Sequence, residues 1–470
     1  MKKIKFDLIL FLPALIFFGG LKDERLFFIF ALFFSFLFLR SGTSLKVGPW
    51  LYFWIWTVFS SFFSLNPAIS FFGSFKFFIF YAIYCYFVEN REKIKPYFAS
   101  FIAIAGAVFA FYCAFGGLFL SIRTPWTILG LNPNYSAAFF SICTLYFYQK
   151  SLTADSFSEK IREISVYACF FLASLLFNSR GAFLGLSLGI IYISYFTKGK
   201  KTALYSAGTL IAVFMFLAYK NDLLKLSEMK SYARPYIWLT ALKASFHYPI
   251  WGAGSGMFGE VFEKFKFPYF TDGFYYAHSS AHAHSEIFQV LAEFGIPGLA
   301  IFFWGLNRSF FTGFNRGGIY KAMALCLMIH GLFDVIFYLP VFWIFLFAFF
   351  ALSQEEKQSE QHPAPTFFAK LFFAFSFFAA LGFFYFRPQL NISASTQKEI
   401  DITGVNAFKS AAYCEIFSEK YPKNWLFPYV SYKFYSLTGL KEKAAENAAK
   451  AYSLEPLAFE KSEKNSFYGR

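Results

Sequence analysis

Two arginines and a histidine-rich stretch are the residues whose types and spacing could do chemistry in this 470-residue chain. Asn178-Ser-Arg180-Gly181 falls between two long apolar runs with almost no loop. A guanidinium in such a place costs free energy unless it meets water, an acid or an anion. It could also simply snorkel to an interface. Arg234-Pro-Tyr-Ile-Trp238 opens a second helix, with Pro235 suited to its first turn. Tyr248-Pro-Ile-Trp-Gly252-Ala-Gly254-Ser-Gly256 follows as a turn-rich stretch whose glycines could let backbone N–H groups approach an anion. A plain turn reads equally well there, and no Lys-Ser/Thr follows to make a P-loop. Then comes His278-Ser-Ser-Ala-His282-Ala-His284-Ser-Glu286, with Glu293-Phe-Gly295-Ile-Pro-Gly298 a few residues on.

Forked guanidiniums bind diphosphate and keep their charge in low dielectric. A neutral imidazole can take a proton from a hydroxyl near pH 7. His-x3-His-x-His can also converge on zinc, although no carboxylate or Cys completes a familiar ligand spacing. Histidines lining a wet loop are the third reading. No DxD or similar acidic pair suited to Mg2+ appears among the expected outer loops, so phosphate charge would be met by arginine alone. Arg180, Arg234 and His284 together describe transfer from a lipid diphosphate donor without a metal or other cofactor.

The elements that must position these groups are membrane helices. The chain is 57% hydrophobic, 24% aromatic and only 15% charged, with 76 Phe. A soluble domain carries about a quarter charged residues, so this composition excludes a soluble enzyme, a disordered chain and a secreted disulfide scaffold. Apolar runs lie near 6–20, 25–39, 47–63, 69–88, 97–120, 134–149, 163–178, 181–197, 202–219, 285–306, 319–335, 338–352 and 366–386. The expected fold is all-α: a polytopic bundle of about 12–13 transmembrane helices, a long periplasmic loop and a small C-terminal helical domain. Its expected divisions are spans 1–9 over 1–219, a loop with short helices over 220–284, spans 10–13 over 285–386, and a tail over 387–470.

The net charge of +15 does not point to nucleic acid, because Lys and Arg sit in short clusters between apolar runs. Arg40/Lys46, Arg91/Lys93/Lys95, Lys150/Lys160/Arg162, Lys198/Lys200/Lys201 and Arg308/Arg316/Lys321 fall in alternate loops. The opposite loops carry only Lys22, Arg25, Arg123 and Arg180, so positive charge places the 220–284 insertion and the tail outside the cytoplasm. None of the six cysteines forms a CxxC pair. In the tail, Pro422 and Pro456 lie 34 residues apart, each closing a helix-like run, which matches the tetratricopeptide period. A generic helical hairpin is the alternative. So short a repeat must lean on the membrane domain or a partner.

The order of Ser179-Arg180-Gly181, Arg234-x-x-Ile-Trp238, Pro249-Ile-Trp-Gly252-x-Gly254-x-Gly256, His282-Ala-His284-Ser-Glu-Ile-Phe-Gln and Glu293-Phe-Gly295-Ile-Pro-Gly298 resembles the O-antigen ligase family. That superfamily includes O-antigen polymerases and protein O-oligosaccharyltransferases. The resemblance implies a bacterial inner-membrane enzyme of lipopolysaccharide biosynthesis, acting at its periplasmic face. It would move a glycan from undecaprenyl diphosphate to lipid A–core, or alternatively to a protein or a growing glycan. Arg180 and Arg234 would hold the diphosphate, and His284 would be the base or would orient the acceptor. His282, Gly252, Gly254, Trp238 and Glu293 would line the substrate. The family often has Asn after this histidine, where this chain has Ser285. Membrane lipids, and a protein partner through the tail, are the other expected contacts. His330 and Asp334, one helical turn apart, are expected to pair structurally. A lipid-linked sugar transporter is the reading from another class. It would need ionisable residues at mid-membrane, where only Lys76, His330 and Asp334 are candidates.

A single displacement by the acceptor hydroxyl through an oxocarbenium-like state inverts the anomeric centre. NMR of the product linkage is expected to show the configuration opposite to that of the donor; a retained configuration rules out single displacement.

Overall fold

The computed structural model describes residues 19–118, 132–219, 233–267, 280–311 and 318–354. Of the later residues it describes Leu371, Ala374, Phe378, 414–419, 421–422, 424–456, 459–460 and 462–463. The expected spans at 6–20 and 366–386 lie almost wholly outside these residues, and 220–232 and 268–279 with His278 lie wholly outside them. The helices are α1 (Glu24–Ser41), α2 (Pro49–Phe62), α3 (Pro67–Leu118), α4 (Pro133–Thr153), α5 (Phe157–Leu176), α6 (Arg180–Lys198) and α7 (Lys200–Tyr219). They continue as α8 (Ala233–His247), α9 (Phe258–Phe265), α10 (Glu286–Leu306), α11 (Ile319–Phe333), α12 (Pro340–Ser353), α13 (Leu426–Leu437) and α14 (Lys441–Leu454).

The chain is all-helical over the described residues, and three segments are long and apolar enough to cross a membrane: Pro67–Phe98, Arg180–Lys198 and Glu286–Phe311. Ser100–Tyr112, Ile319–Phe333 and Pro340–Ser353 are shorter apolar helices. Where the sequence suggests two spans separated by Arg91–Lys95, helical hydrogen bonding continues as α3 through Pro96. The rings of Phe87 and Phe98 nevertheless lie 5.2 Å apart. Eleven residues of straight helix rise about 16 Å, so α3 bends between them, beside the proline that removes a backbone donor.

Two compact units form: one from 1–55, 74–225 and 300–384, the other from 56–73, 226–299 and 385–470. In the first unit, α12 is buried along Pro340–Leu352, as expected of a helix apolar on every side. Trp50 caps it, with its ring 4.8 Å from that of Phe347 and stacked on Phe350. Against α11, α6 presents Gly181, Gly185 and Gly189, one turn apart. A methyl group at Gly185 would overlap the Cys326 carbonyl, and one at Gly181 would lie 2.6 Å from the His330 ring. Small residues at this spacing let helix backbones approach closely.

The second unit is organised by a break in α10. Gly295 has φ 69° and ψ −172°, and Pro297 supplies no N–H. Carbonyls ahead of the break therefore lose their donors inside the helix. Ala253 N–H reaches Ala292 O at 2.9 Å and Gly254 N–H reaches Glu293 O at 2.9 Å. The Trp56 indole N–H reaches Phe294 O at 2.8 Å. On the other side, Ile296 N–H is taken by Pro249 O at 2.9 Å. Ser60 Oγ holds Trp251 O at 2.6 Å, and Trp56 and Phe63 both stack on Trp251. The continuous span expected at 285–306 is thus a broken one, and these three carbonyls and the Ile296 N–H find partners outside the helix.

The described tail is a helical hairpin, α13 and α14, turned at Gly439 with φ 77°. Cys414, Tyr421, Phe427 and Val430 form its small core. It leans on α9 of the same unit: Asn424 Nδ2 donates to Glu263 Oε2 at 3.3 Å, both side chains buried. Glu263 also pairs with Lys266 at 2.8 Å, with 5% and 3% side-chain exposure. Burial pushes the Glu263 carboxyl up from its ordinary value, and the Lys266 ammonium and the Asn424 amide pull against that shift. Glu263→Ala takes the counter-charge from a buried ammonium, which costs about 3–5 kcal/mol. The purified full-length variant should show a clearly lowered thermal midpoint; an unchanged midpoint would remove this pair from the account of how the tail is held.

Candidate active site

His284 stands in the short segment that leads into α10. Its φ is +51°, in the left-handed region that side-chain-bearing residues avoid. Among the described residues only Leu21, Asn178 and His284 have positive φ without being glycine. Two of these three fall in the segments singled out for chemistry, and strained backbone persists where its surroundings over-determine it. Ala283, just before His284, is fully buried with Ile237, Ala241, Phe258, Phe262 and Ala292. Its N–H donates to Gln289 Oε1 at 2.7 Å. Gln289 Nε2 donates in turn to Glu293 Oε1 at 2.7 Å. That oxygen also accepts the Phe258 N–H at 3.3 Å. Phe258 is the first residue of α9, whose Met257 makes no side-chain cap. Glu293 therefore supplies an acidic cap from another helix, where the helix dipole favours it.

Trp238 stacks on Phe288 of α10, with ring centroids 5.6 Å apart and planes at 18°. Its buried indole N–H makes no hydrogen bond among the described residues. Arg234, half-buried, lies one turn back on the same face of α8. His282 is half-buried, and its carbonyl accepts from Ser280 Oγ at 2.7 Å.

The glycine turn follows the second of its two sequence readings, a plain turn. The N–H groups of Gly252, Ala253 and Gly254 go to the carbonyls of Tyr248, Ala292 and Glu293, so these amides are occupied by protein and do not form an anion cradle. The lack of a side chain at Gly252 and Gly254 permits a backbone crossing: a Cβ on Gly252 would overlap the Glu293 carbonyl, and one on Gly254 the Ser64 and Ser70 hydroxyls. Glu293 is likewise a cap, 5% exposed, and its carboxylate is engaged by Gln289 and Phe258.

Arg180 belongs to the first unit and is half-buried as the first residue of α6. Ser179 caps α6 by accepting Ala182 N–H at 3.3 Å, and its hydroxyl lies 3.2 Å from His330 Nε2. A cation at a helix N-terminus opposes the dipole, so Arg180 and the first amides of α6 both favour an anion. His330 meets Ser179, and Asp334 accepts from Asn134 Nδ2. Each ties α11 to a different helix. Among the described residues no group of three His, Cys, Asp or Glu is placed to hold a metal.

Sequence reasoning missed Gln289, the capping role of Glu293, and the serines at 60, 64 and 70 that bind the 251–255 turn. The four-residue spacing of Gln289 and Glu293 on an otherwise apolar helix was the available signal.

Residues 165–303 match the family model described as O-antigen ligase. No curated protein matches the chain. The matched stretch contains every residue proposed above for the chemistry, from Arg180 to Glu293.

Gly252→Ala must push the turn off α10 as well as adopt a strained φ. Gly256→Ala, with φ 74° and its nearest neighbour Ile69 at 3.5 Å, meets only the backbone strain, about 1–2 kcal/mol. Thermal melts of the two variants should place Gly252→Ala well below Gly256→Ala; equal midpoints would show that the crossing is not tight.

Proposed function

From the O-antigen ligase domain at residues 165–303, we propose that this chain is a membrane glycosyltransferase that moves a glycan from undecaprenyl diphosphate to an acceptor hydroxyl at the periplasmic face. The most direct reading is O-antigen ligase acting on lipid A–core. The observation that carries it is the content of the matched segment: two half-buried arginines, one at a helix N-terminus, and a histidine held in left-handed backbone.

In the proposed step the acceptor oxygen bonds to the anomeric carbon while the anomeric C–O bond to diphosphate breaks. The electron pair of that bond leaves on the diphosphate oxygen, where Arg180 and Arg234 meet the growing charge. The hydroxyl proton passes to His284, which releases it later to water. Glycosylated acceptor and undecaprenyl diphosphate leave, and the charge balances without a further reactant. Trp238, with its indole N–H unsatisfied by the described protein, is suited to donate to the glycan. Transfer to a protein hydroxyl or to a growing glycan uses the same chemistry and differs only in the acceptor.

Purified protein given lipid-diphosphate glycan and, separately, lipid A–core, periplasmic protein or a second lipid-linked glycan is expected to modify lipid A–core, with the rate unchanged by a chelator. Arg180→Ala, Arg234→Ala and His284→Ala should each lower transfer about 10²–10³-fold while membrane insertion is retained. Full activity of the histidine variant would take His284 out of the mechanism. Modification of protein alone would replace ligase by oligosaccharyltransferase, and loss of activity in chelator would restore the zinc reading of the histidines.

A further inference from the structure

We infer that Gln289 is a positioning residue for the reaction: its carboxamide grips the backbone beside His284 and so aims the imidazole. The inference rests on the reading of His284 as proton acceptor.

The bonding pattern dictates which end of the amide faces which partner. The Glu293 oxygen receives the Phe258 N–H at 3.3 Å and so acts as an acceptor. It must therefore meet the NH2 of Gln289, which leaves the amide oxygen for the Ala283 N–H. The anchor is fixed at its own backbone, because Glu293 O accepts Gly254 N–H at 2.9 Å. Two 2.7 Å bonds thus connect the body of α10 to the residue before His284, and the 3.3 Å bond from Phe258 extends the chain to the first turn of α9. The Ala283 side chain, fully buried, forms a second grip on the same residue. Between this grip and the first turn of α10 only His284 and Ser285 remain, and His284 takes up the left-handed bend. Without the Gln289 oxygen, a buried N–H loses its acceptor and the backbone is free to relax out of the left-handed region.

A glutamate at 289 provides a selective perturbation. Its carboxyl can accept from Ala283, but it can donate to Glu293 only while one proton is shared between the two acids. That arrangement is present at low pH and lost as pH rises.

The test uses full-length protein labelled with 13C,15N-histidine, with the His284 ring signal assigned by its loss in His284→Ala. Gln289→Ala is expected to move that signal and to lower kcat by up to about 100-fold, with the donor KM nearly unchanged. For Gln289→Glu, the ratio of its rate to the wild-type rate is expected to climb as pH falls from about 8 to about 6. An unmoved ring signal with wild-type kcat in Gln289→Ala overturns the inference. Should that variant fail to fold, a pH-independent rate ratio for Gln289→Glu overturns it instead. A moved signal combined with full activity in His284→Ala upholds the positioning while rejecting the role given to His284, so the two failures are distinct.

Discussion

A helix that breaks inside an apolar protein must have its freed backbone groups satisfied, and the break at Gly295 is the constraint around which the second unit is built. Three consecutive carbonyls, from Ala292 to Phe294, turn to donors outside α10, and the N–H of Ile296 turns to Pro249. Each unpaired group would cost about 1–3 kcal/mol, so the turn at 248–254 and Trp56 cannot be separated from the break they satisfy. The glycines at 252 and 254 make the crossing close enough for those bonds to form. Of the two readings the glycine turn allows, anion contact or plain turn, the amides of 252–254 follow the second and splice two stretches of backbone.

The same crossing holds the carboxylate of Glu293 in place, and through it the segment that carries His284. Glu293 is an acid with a low-dielectric surround, stabilised by a helix N-terminus and a primary amide. Glu293 is linked through Gln289 to Ala283, the residue before His284. Preorganisation of this kind lets an imidazole be ready for a proton without reorganising at the moment of reaction.

In the first unit, Arg180 has a comparable foundation made from different parts. Ser179 caps the helix, Gly181 lets His330 approach, and Asn178 takes the left-handed conformation that turns α5 into α6 with almost no loop. Both chemical segments therefore couple a strained residue to a helix start. Helix starts have unsatisfied N–H groups, which suits them to a reaction whose charge is anionic.

The sequence by itself determined the helical membrane class, because so few charges cannot coat a soluble surface, and it singled out the segments to which the chemistry is assigned in the proposed function. The arginines, His284 and the Gly-Ile-Pro break were all visible as residue types at telling positions, and the family resemblance rested on their order. The break between the runs at 69–88 and 97–120 was visible in the charges of Arg91–Lys95, whereas the partners of the 252–254 amides were not, since these depend on which backbone lies alongside. Likewise, nothing local distinguishes a carboxylate that contacts substrate from one that caps a neighbouring helix. Only the tertiary structure decided that Glu293 caps α9, that Asn424 of the tail meets Glu263, and that His330 and Asp334 face different helices. Hydrogen bonds between residues remote in sequence are set by packing, and packing is a property of the folded chain.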